Sequence, residues 1–559
     1  MDNEATGRKH WVLIETGGNQ RYIFGSNRLR HVVGASQLVH EVGTEWVPEA
    51  VADVGLPEAT VVTKASGKAL LLVDAADDGR AIIRKVSERA LREVPGLQVT
   101  GVVGPSFDAS DDAAHEPARR ATYKLHAAVR AGRPDPLVRD RVFPWHELCR
   151  DSGRPAAGME GYGDEEPVPA SAGVLARSQA RDRARKRLLD KLAEGPVSAG
   201  HGRLSQVVPA QLEELRHDRW MAVVHADGNG VGGLFREFID HIAEVEGGGP
   251  VSLATHAHYQ RKVSEELETA TWEAVRDAVG KLLDESSEQD AGWLLPIVVG
   301  GDDVTVACDA AVAVRFVRHF AEAYAVRTQQ QETLSKVAAQ ATGHPGLAAS
   351  AGIAVVKLHH PFATAYKLAE ALTDSAKQLR HKGQSLAAFD VHVAHTSTLR
   401  ELPELREYVE PAGVSQRVAR HAGPYLIGQA EKLPVGLRHR SVELLDEIGG
   451  WLGPQGWLSA AQAHALREAA DRSLAEYQYQ LKLTVDHAPE AERARAHALL
   501  DMQPAPNGGD EGRVSQADDT DPGGPFLRLF DALHLRGLRL DSSAPSTTSS
   551  GSTSAGGAS

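Results

Sequence analysis

Two adjacent glycines run directly into two adjacent aspartates, Gly300-Gly301-Asp302-Asp303, between the short apolar runs 297–299 and 304–307. The flanking runs are β-branched and brief, so each reads as a buried strand. Gly-Gly permits the tight reversal that joins them, and the segment predicts a β-hairpin with two carboxylates at its tip. Like charges this close repel unless a cation or a Lys or Arg side chain stands with them. Ordinary turns use the same residues, so the hairpin alone leaves two readings open: a plain reversal or a metal-holding loop.

A second acidic element precedes it. Residues 220–226 form an apolar run that ends at Asp227, followed by the bend Gly228-Asn229-Gly230-Val231-Gly232. Leu234, Phe235, Phe238, Ile239 and Ile242 then recur at helical spacing. A strand-loop-helix junction of this kind offers free backbone N–H groups suited to a triphosphate. One carboxylate beside the phosphates and two on a neighbouring hairpin make a two-metal phosphoryl-transfer site.

The order of elements narrows the fold. Helical stretches are expected at 231–246 and 256–284, then the hairpin, an amphipathic segment at 309–330, and a strand at 348–356. Pro361 opens a helix running to 380, and a short strand follows at 386–391. This is a palm pattern, an antiparallel sheet with helices on one face. Upstream, a strand at 11–15, a helix at 26–42, a strand at 68–75, a helix at 81–94 and a strand at 97–103 predict a second copy. It has no Gly-Gly-Asp-Asp hairpin, since Asp77-Asp78 precede Gly79 instead of following a glycine pair.

These motifs resemble the large subunit of type III CRISPR effector complexes, whose second palm carries such a hairpin and is similar to the GGDEF nucleotide cyclases. The matching stretches are Asp227 to Gly232, Gly300 to Asp303, Ser350-Ala351-Gly352-Ile353-Ala354, and Ala369-Glu370-Ala371-Leu372 through Ala376-Lys377. Asn19-Gln20-Arg21-Tyr22-Ile23-Phe24, with Leu29 and Gly34-Ala35-Ser36, looks like that family's first palm. The resemblance covers about residues 10–395.

The resemblance implies a metal-dependent nucleotidyltransferase that makes a cyclic oligonucleotide, usually cyclic oligoadenylate from ATP, as a second messenger in antiviral defence. Asp227, Asp302 and Asp303 would be catalytic and bind Mg²⁺ or Mn²⁺. Lys377 would reach a phosphate, with Gly228, Asn229, Gly230, Gly300, Gly301 and Ser375 as further nucleotide contacts. Gly17, Gly18 and Gln20 would lie near the acceptor. Two other readings stand beside it: a noncatalytic RNA-binding or scaffold subunit of such a complex, and a GGDEF-like cyclase using GTP. Intact acids favour catalysis over the scaffold, and Asp303-Val304, in place of an acidic residue that is usually Glu followed by Phe, speaks against the third.

The chain departs from the family in two places. Members commonly begin with a nuclease domain bearing a His-Asp pair, yet His217-Asp218 is the one such dipeptide and adjoins the second palm, so no DNase activity is expected. The segment 144–156 looks like the remains of a zinc-binding insert, with Cys149 in place and Ser152 where its partner would stand. Cys149 and Cys308 are the only cysteines, so no structural zinc is expected.

The expected architecture is α+β: two ferredoxin-like palm domains plus a C-terminal helical domain. Its divisions are a first, noncatalytic palm at 1–135, a linker with the vestigial insert at 136–215, and the catalytic palm at 216–400. A helical domain at 401–502 and a mostly disordered tail at 503–559, with a short helix near 526–540, complete it. Two cysteines and the lack of a long apolar span point to the cytoplasm and no membrane. A net charge of -14 argues against broad nucleic-acid affinity, although RNA, other subunits of a CRISPR-type complex and a further copy of the chain are compatible partners. The basic run 177–191 reads by default as a solvated helix, and the histidines, His225 included, as packed or hydrogen-bonded side chains.

Overall fold

The computed structural model describes residues 7–134, 141–161, 166–194, 208, 220–285, 293–358, 360–381, 384–395, 401–406, 408–409, 418–501 and 527–543. Four consecutive buried residues, Trp11 to Ile14, place Arg8–Gly17 (β1) inside a sheet instead of at its edge. After it come Asn19–Ile23 (α1), Leu29–Glu41 (α2), Val47–Val54 (α3), Val61–Ala65 (β2), Lys68–Val73 (β3), Ala76–Glu93 (α4), Gln98–Asp108 (β4) and His115–Ala131 (α5). The strand order is β2-β3-β1-β4, with antiparallel pairs throughout, which is the ferredoxin-like arrangement.

Four of these elements, α1, α3, β2 and α5, were not anticipated from the sequence. The strand β2 makes a hairpin with β3 over Ser66-Gly67, the topological counterpart of the acidic hairpin, and it carries no carboxylate at its tip. Helix α5 buries Ala118, Thr122 and His126, small or polar residues that give no apolar periodicity. Asp77 and Asp78 lie in the first turn of α4, where the helix dipole accounts for them.

Gly158–Glu160 (β5) and Val168–Ala170 (β6) pair, and Ala172–Ala193 (α6) then lies along α2. The helices approach so closely that a Cβ on Gly34 would fall 1.8 Å from the Arg177 carbonyl oxygen. The basic run is therefore half sunk: Ala180, Ala184, Leu188 and Leu192 are buried, Arg183 pairs with Glu41 at 2.9 Å, and Arg187 donates to Gln37 at 2.7 Å. In the vestigial insert, Cys149 is closed into a turn by Gly153 N–H, which donates to its carbonyl at 2.9 Å, and the Ser152 hydroxyl bonds its thiol. Among the described residues one trio is spaced for a metal, His31, Asp151 and Glu160. His31 lies 2.7 Å from Glu160, Arg30 is 3.5 Å from Glu160, and Arg28 is 3.5 Å from Asp151, so arginines already neutralise both carboxylates.

The second palm runs through Trp220–Gly228 (β7), Val231–Arg236 (α7), Phe238–Val245 (α8), Leu253–Glu285 (α9), Leu294–Gly300 (β8), Asp303–Asp309 (β9), Ala310–Gln330 (α10), Glu332–Thr342 (α11), Ala349–Lys357 (β10), Phe362–Lys377 (α12) and Ala388–Val393 (β11). The helix expected at 231–246 breaks at Glu237, and α11 had no counterpart in the reading above. Strands β10-β7-β9-β8 repeat the order of the first sheet, all antiparallel. The expected sheet is extended at one edge, where β11 joins β10 in parallel because α12 carries the chain back across, and Tyr425–Leu426 (β12) pairs beyond it.

Helices lie on both faces of this sheet. A Cβ on Gly228 would meet the Tyr324 hydroxyl of α10, whereas Gly352, paired with His225, faces Ala369 and Thr373 of α12. Residues 225 and 228 point to opposite faces of β7, so α10 and α12 do too.

The C-terminal part is helical: Val442–Trp451 (α13), Ala460–Arg472 (α14), Leu474–Asp486 (α15), Arg493–Leu500 (α16) and Arg528–Ser543 (α17), with a capping box at Ser459 and Gln462 starting α14. Helix α17 corresponds to the short helix expected near 526–540; the rest of the expected tail, 503–526 and 544–559, lies outside the described residues. Among the described residues no helix is long and apolar enough to cross a membrane.

The contact at Gly352 leaves no room for a side chain, because a Cβ there would lie 2.0 Å from the Ala369 carbonyl oxygen and 2.5 Å from Thr373 N. Gly352→Ala is expected to cost about 3 kcal/mol or more in urea unfolding. Gly449→Ala in α13, where nothing stands within 4 Å, is expected to be neutral or slightly stabilising.

Candidate active site

Backbone pairing brings the acids together. In the β7–β9 ladder Asp227 is the direct partner of Asp303, so the two side chains emerge on one face of the sheet. The hairpin turns at Gly301, whose φ of +61° suits glycine, and Thr271 of α9 pins the tip by donating to the Gly301 carbonyl at 2.5 Å. Gly228 N–H donates to the Asp302 carbonyl at 3.1 Å, tying loop to hairpin. A Cβ at Gly228 would stand 2.9 Å from that of Asp302 and 2.6 Å from the Tyr324 hydroxyl, so only glycine fits.

Helix α12 supplies the opposite wall. Tyr366, Glu370, Thr373 and Lys377 recur at helical spacing along one stripe. Thr373 holds the helix to β7 by donating to the His225 carbonyl at 2.9 Å. The Lys377 ammonium is hydrogen-bonded to the Asp227 carboxylate. Around Asp303 and His225 are also Glu370 and Asp374, so Lys377 is one cation among five carboxylates.

The electrostatics follow from that imbalance. Desolvation and the neighbouring Asp227 carboxylate push Asp302 up to about 8, and the same causes push Asp303 to about 7. Asp303 keeps 44% of its side-chain surface exposed, yet its Oδ1 is buried with no hydrogen-bond partner among the described residues. His225 Nδ1 stands 3.3 Å from that oxygen and 3.3 Å from Thr305 Oγ1, and burial lowers its pKa, so a neutral imidazole packs here as expected. These are hard oxygen donors of the kind that Mg²⁺ or Mn²⁺ takes, one of them an orphaned buried atom, but among the described residues their ligand atoms do not reach the mutual metal spacing found for His31, Asp151 and Glu160.

The other residues of the sequence reading divide. Gly230 caps α7 with φ of +82°, and the space beside Gly232 and Gly233 is open to 4 Å. Gly300 faces the first palm, with the Ser66 Cβ 3.6 Å from where its own would be. Asn229 is a strut: its N–H donates to the Ala348 carbonyl at 2.8 Å and its Nδ2 to the Leu386 carbonyl at 3.1 Å. Ser375 turns away from the aspartates. It lies about 200° around the helix from Lys377, and its hydroxyl is committed to Asp390 at 2.6 Å.

Two residues, Tyr366 and Glu370, escaped the sequence reading. Gln20 of α1 donates to Glu370 at 2.5 Å and also bonds the Tyr366 hydroxyl, while Phe24 stacks on Tyr366 with centroids 3.7 Å apart. Gln20 was expected near the acceptor; Glu370 and Tyr366 were not assigned. The stripe of Tyr366, Glu370 and Lys377 at seven- and four-residue spacings was the signal available for both.

Residues 220–386 match the family model for the second palm domain of Cas10/Cmr2. The chain carries a Cas10/Cmr2 second palm. No curated protein matches the chain. Among solved structures, a Csm1–Csm4 cassette in complex with cA4 is 13% identical, with 97% of this chain and 71% of that chain covered and a TM-score of 0.46. Csm1 of T. onnurineus is 12% identical over 96% and 70%, with a TM-score of 0.46. A type III-B Cmr-beta structure in the apo state is 9% identical over 96% and 81%, with a TM-score of 0.49.

The raised carboxyls set the sign of a pH effect. A carboxyl that keeps its proton in the fold up to about 8 loses stability for the fold as pH rises from the ordinary carboxylate range through that value. In EDTA the melting temperature is expected to fall between about pH 5 and about pH 9. Asp302→Asn should flatten the fall, and excess Mg²⁺ should reverse it in the unaltered protein; calorimetry reads all three.

Proposed function

We propose that this chain is a metal-dependent nucleotidyltransferase that joins nucleoside triphosphates, ATP foremost, into a cyclic oligonucleotide second messenger for CRISPR-like antiviral defence. The observation that carries the proposal is the meeting of Asp227 with the 302/303 pair at the strand ends of a Cas10/Cmr2 second palm. Product and base choice rest on the family resemblance.

In this reading Asp227, Asp302 and Asp303 hold the metal. A divalent cation bound there supplies the positive charge that makes a ribose hydroxyl nucleophilic and offsets the charge of the departing pyrophosphate. The reaction forms a bond between that hydroxyl oxygen and the α-phosphorus, breaks the α–β phosphoanhydride bond, and releases the hydroxyl proton and pyrophosphate. Lys377 leaves Asp227 and turns to a phosphate oxygen as a point charge. Backbone N–H groups around Gly230 to Gly233 receive the triphosphate, with Gly228, Gly300 and Gly301 allowing its close approach. Gln20 and Glu370 orient the acceptor nucleotide, since joining two nucleotides requires both held side by side.

The division of labour gives catalysis to residues 216–400 and a noncatalytic supporting role to 1–135. The hairpin tip of the first palm, Ser66-Gly67, abuts Gly300 and has no acid of its own.

Purified protein incubated with Mg²⁺ or Mn²⁺ and each NTP in turn is expected to release pyrophosphate with one base and to yield a cyclic product by mass spectrometry. Asp302→Ala/Asp303→Ala should lower the rate on the order of a hundredfold or more. Silence with every NTP, also in the presence of candidate RNA and partner subunits, would leave the scaffold reading in its place.

A further inference from the structure

A cavity of about 320 Å³ lies between β11, the stretch before β12, and helices α14 and α17, and it shares no residue with the aspartate site. Three guanidinium groups line it, those of Arg406, Arg420 and Arg467. Four imidazoles join them, from His392, His395, His421 and His534. Polar cavities of this size are in the range that holds a small ligand.

The sign of the cavity follows from how its acids are used. Asp531 is engaged in the wall, accepting from Ala422 N–H at 2.8 Å and from the Tyr425 hydroxyl. Arg406 is held from behind by Asp390, and Arg420 by Asp471, so both are fixed in orientation. Arg467 is half-buried and forms no hydrogen bond or ion pair among the described residues. The remaining acid, Glu404, is exposed. Burial and the nearby Arg406 lower His392 to about 4 and hold His421 well below the usual imidazole range, so both rings stay neutral and offer N–H donors. The four histidines do not converge as metal ligands, since the metal-spaced trio among the described residues lies elsewhere.

Fixed guanidinium groups, neutral N–H donors and an apolar wall that includes Phe530 make a receptor for a planar or tetrahedral anion. We propose that this cavity binds a small phosphate-bearing anion, either free phosphate or a phosphate monoester such as a nucleoside monophosphate.

The test is isothermal titration of the full chain in EDTA, at constant ionic strength set by chloride, with inorganic phosphate and with AMP as probes. Saturable binding of at least one is expected. Equal affinities identify phosphate itself as the ligand, and a preference for AMP identifies the ester. Arg467→Gln should weaken binding about tenfold. Glu404→Gln, which removes a like charge at an exposed position, should tighten it. Asp302→Ala/Asp303→Ala should leave it unchanged, which separates the cavity from the proposed nucleotidyl-transfer site. The absence of saturable binding, full-strength binding to Arg467→Gln, or loss in the double aspartate variant would each overturn the proposal.

Discussion

The pairing of Asp227 with Asp303 across two hydrogen-bonded strands is the constraint around which the second palm is arranged. A ladder fixes its residues to within the spacing of directly opposed side chains, so the carboxylates cannot separate without breaking the sheet. Asp302, one residue earlier on the turn, is bound to the same place through the Gly228 N–H. Burial and the Asp227 carboxylate raise the pKa of Asp302 and Asp303, and the Lys377 ammonium is hydrogen-bonded to Asp227. The fold stores a repulsion that only a cation or a proton relieves.

Holding such a site rigid takes more than one palm. A bulge in β8 frees the Ile297 carbonyl, which accepts from Ser36 of the first palm at 2.5 Å. Phe24 stacks on Tyr366, Gln20 reaches Glu370, and Ser66 meets Gly300. These contacts surround the acidic hairpin and α12 from one side, while Tyr324 and Thr271 support the hairpin and loop from the other. Residues whose own positions are locked by packing hold a reacting geometry better than residues on free loops.

The acidic hairpin was legible because its signals are local. Two glycines, two acids and β-branched flanks occupy consecutive positions, and no distant residue is needed to read them. Asp227 was legible for the same reason, as the end of an apolar run followed by glycines. The parallel strand β11 and the placement of α12 opposite α10 were not, because a sheet's edge and faces are set by which segments return to it. Glu370 and Tyr366 were passed over since an acid and an aromatic on an amphipathic helix look like surface and core until the partner strand is known. Ser375 was read too generously: its neighbourhood to Lys377 in sequence hides the turn of the helix that sends the two side chains apart.

That turn gives α12 two chemically distinct sides. Its front carries Tyr366, Glu370 and Lys377 to the aspartates, and its back buries Ser375 against Asp390, which in turn holds Arg406 and accepts from Val391 N–H at 2.9 Å. A buried ion pair of this kind adds little net stability over an apolar substitute, because desolvation cancels most of the attraction. What it does add is direction. Apolar packing tolerates a helix rotated by a few tens of degrees, but a hydroxyl bonded to a carboxylate that is itself bonded to a guanidinium does not. With Ser375 fixed, the front stripe is fixed as well, and the ammonium of Lys377 stays within reach of Asp227. The polar network behind the helix thus acts as the stop that sets its rotation, and the geometry of the acidic site depends on a side chain that never faces it.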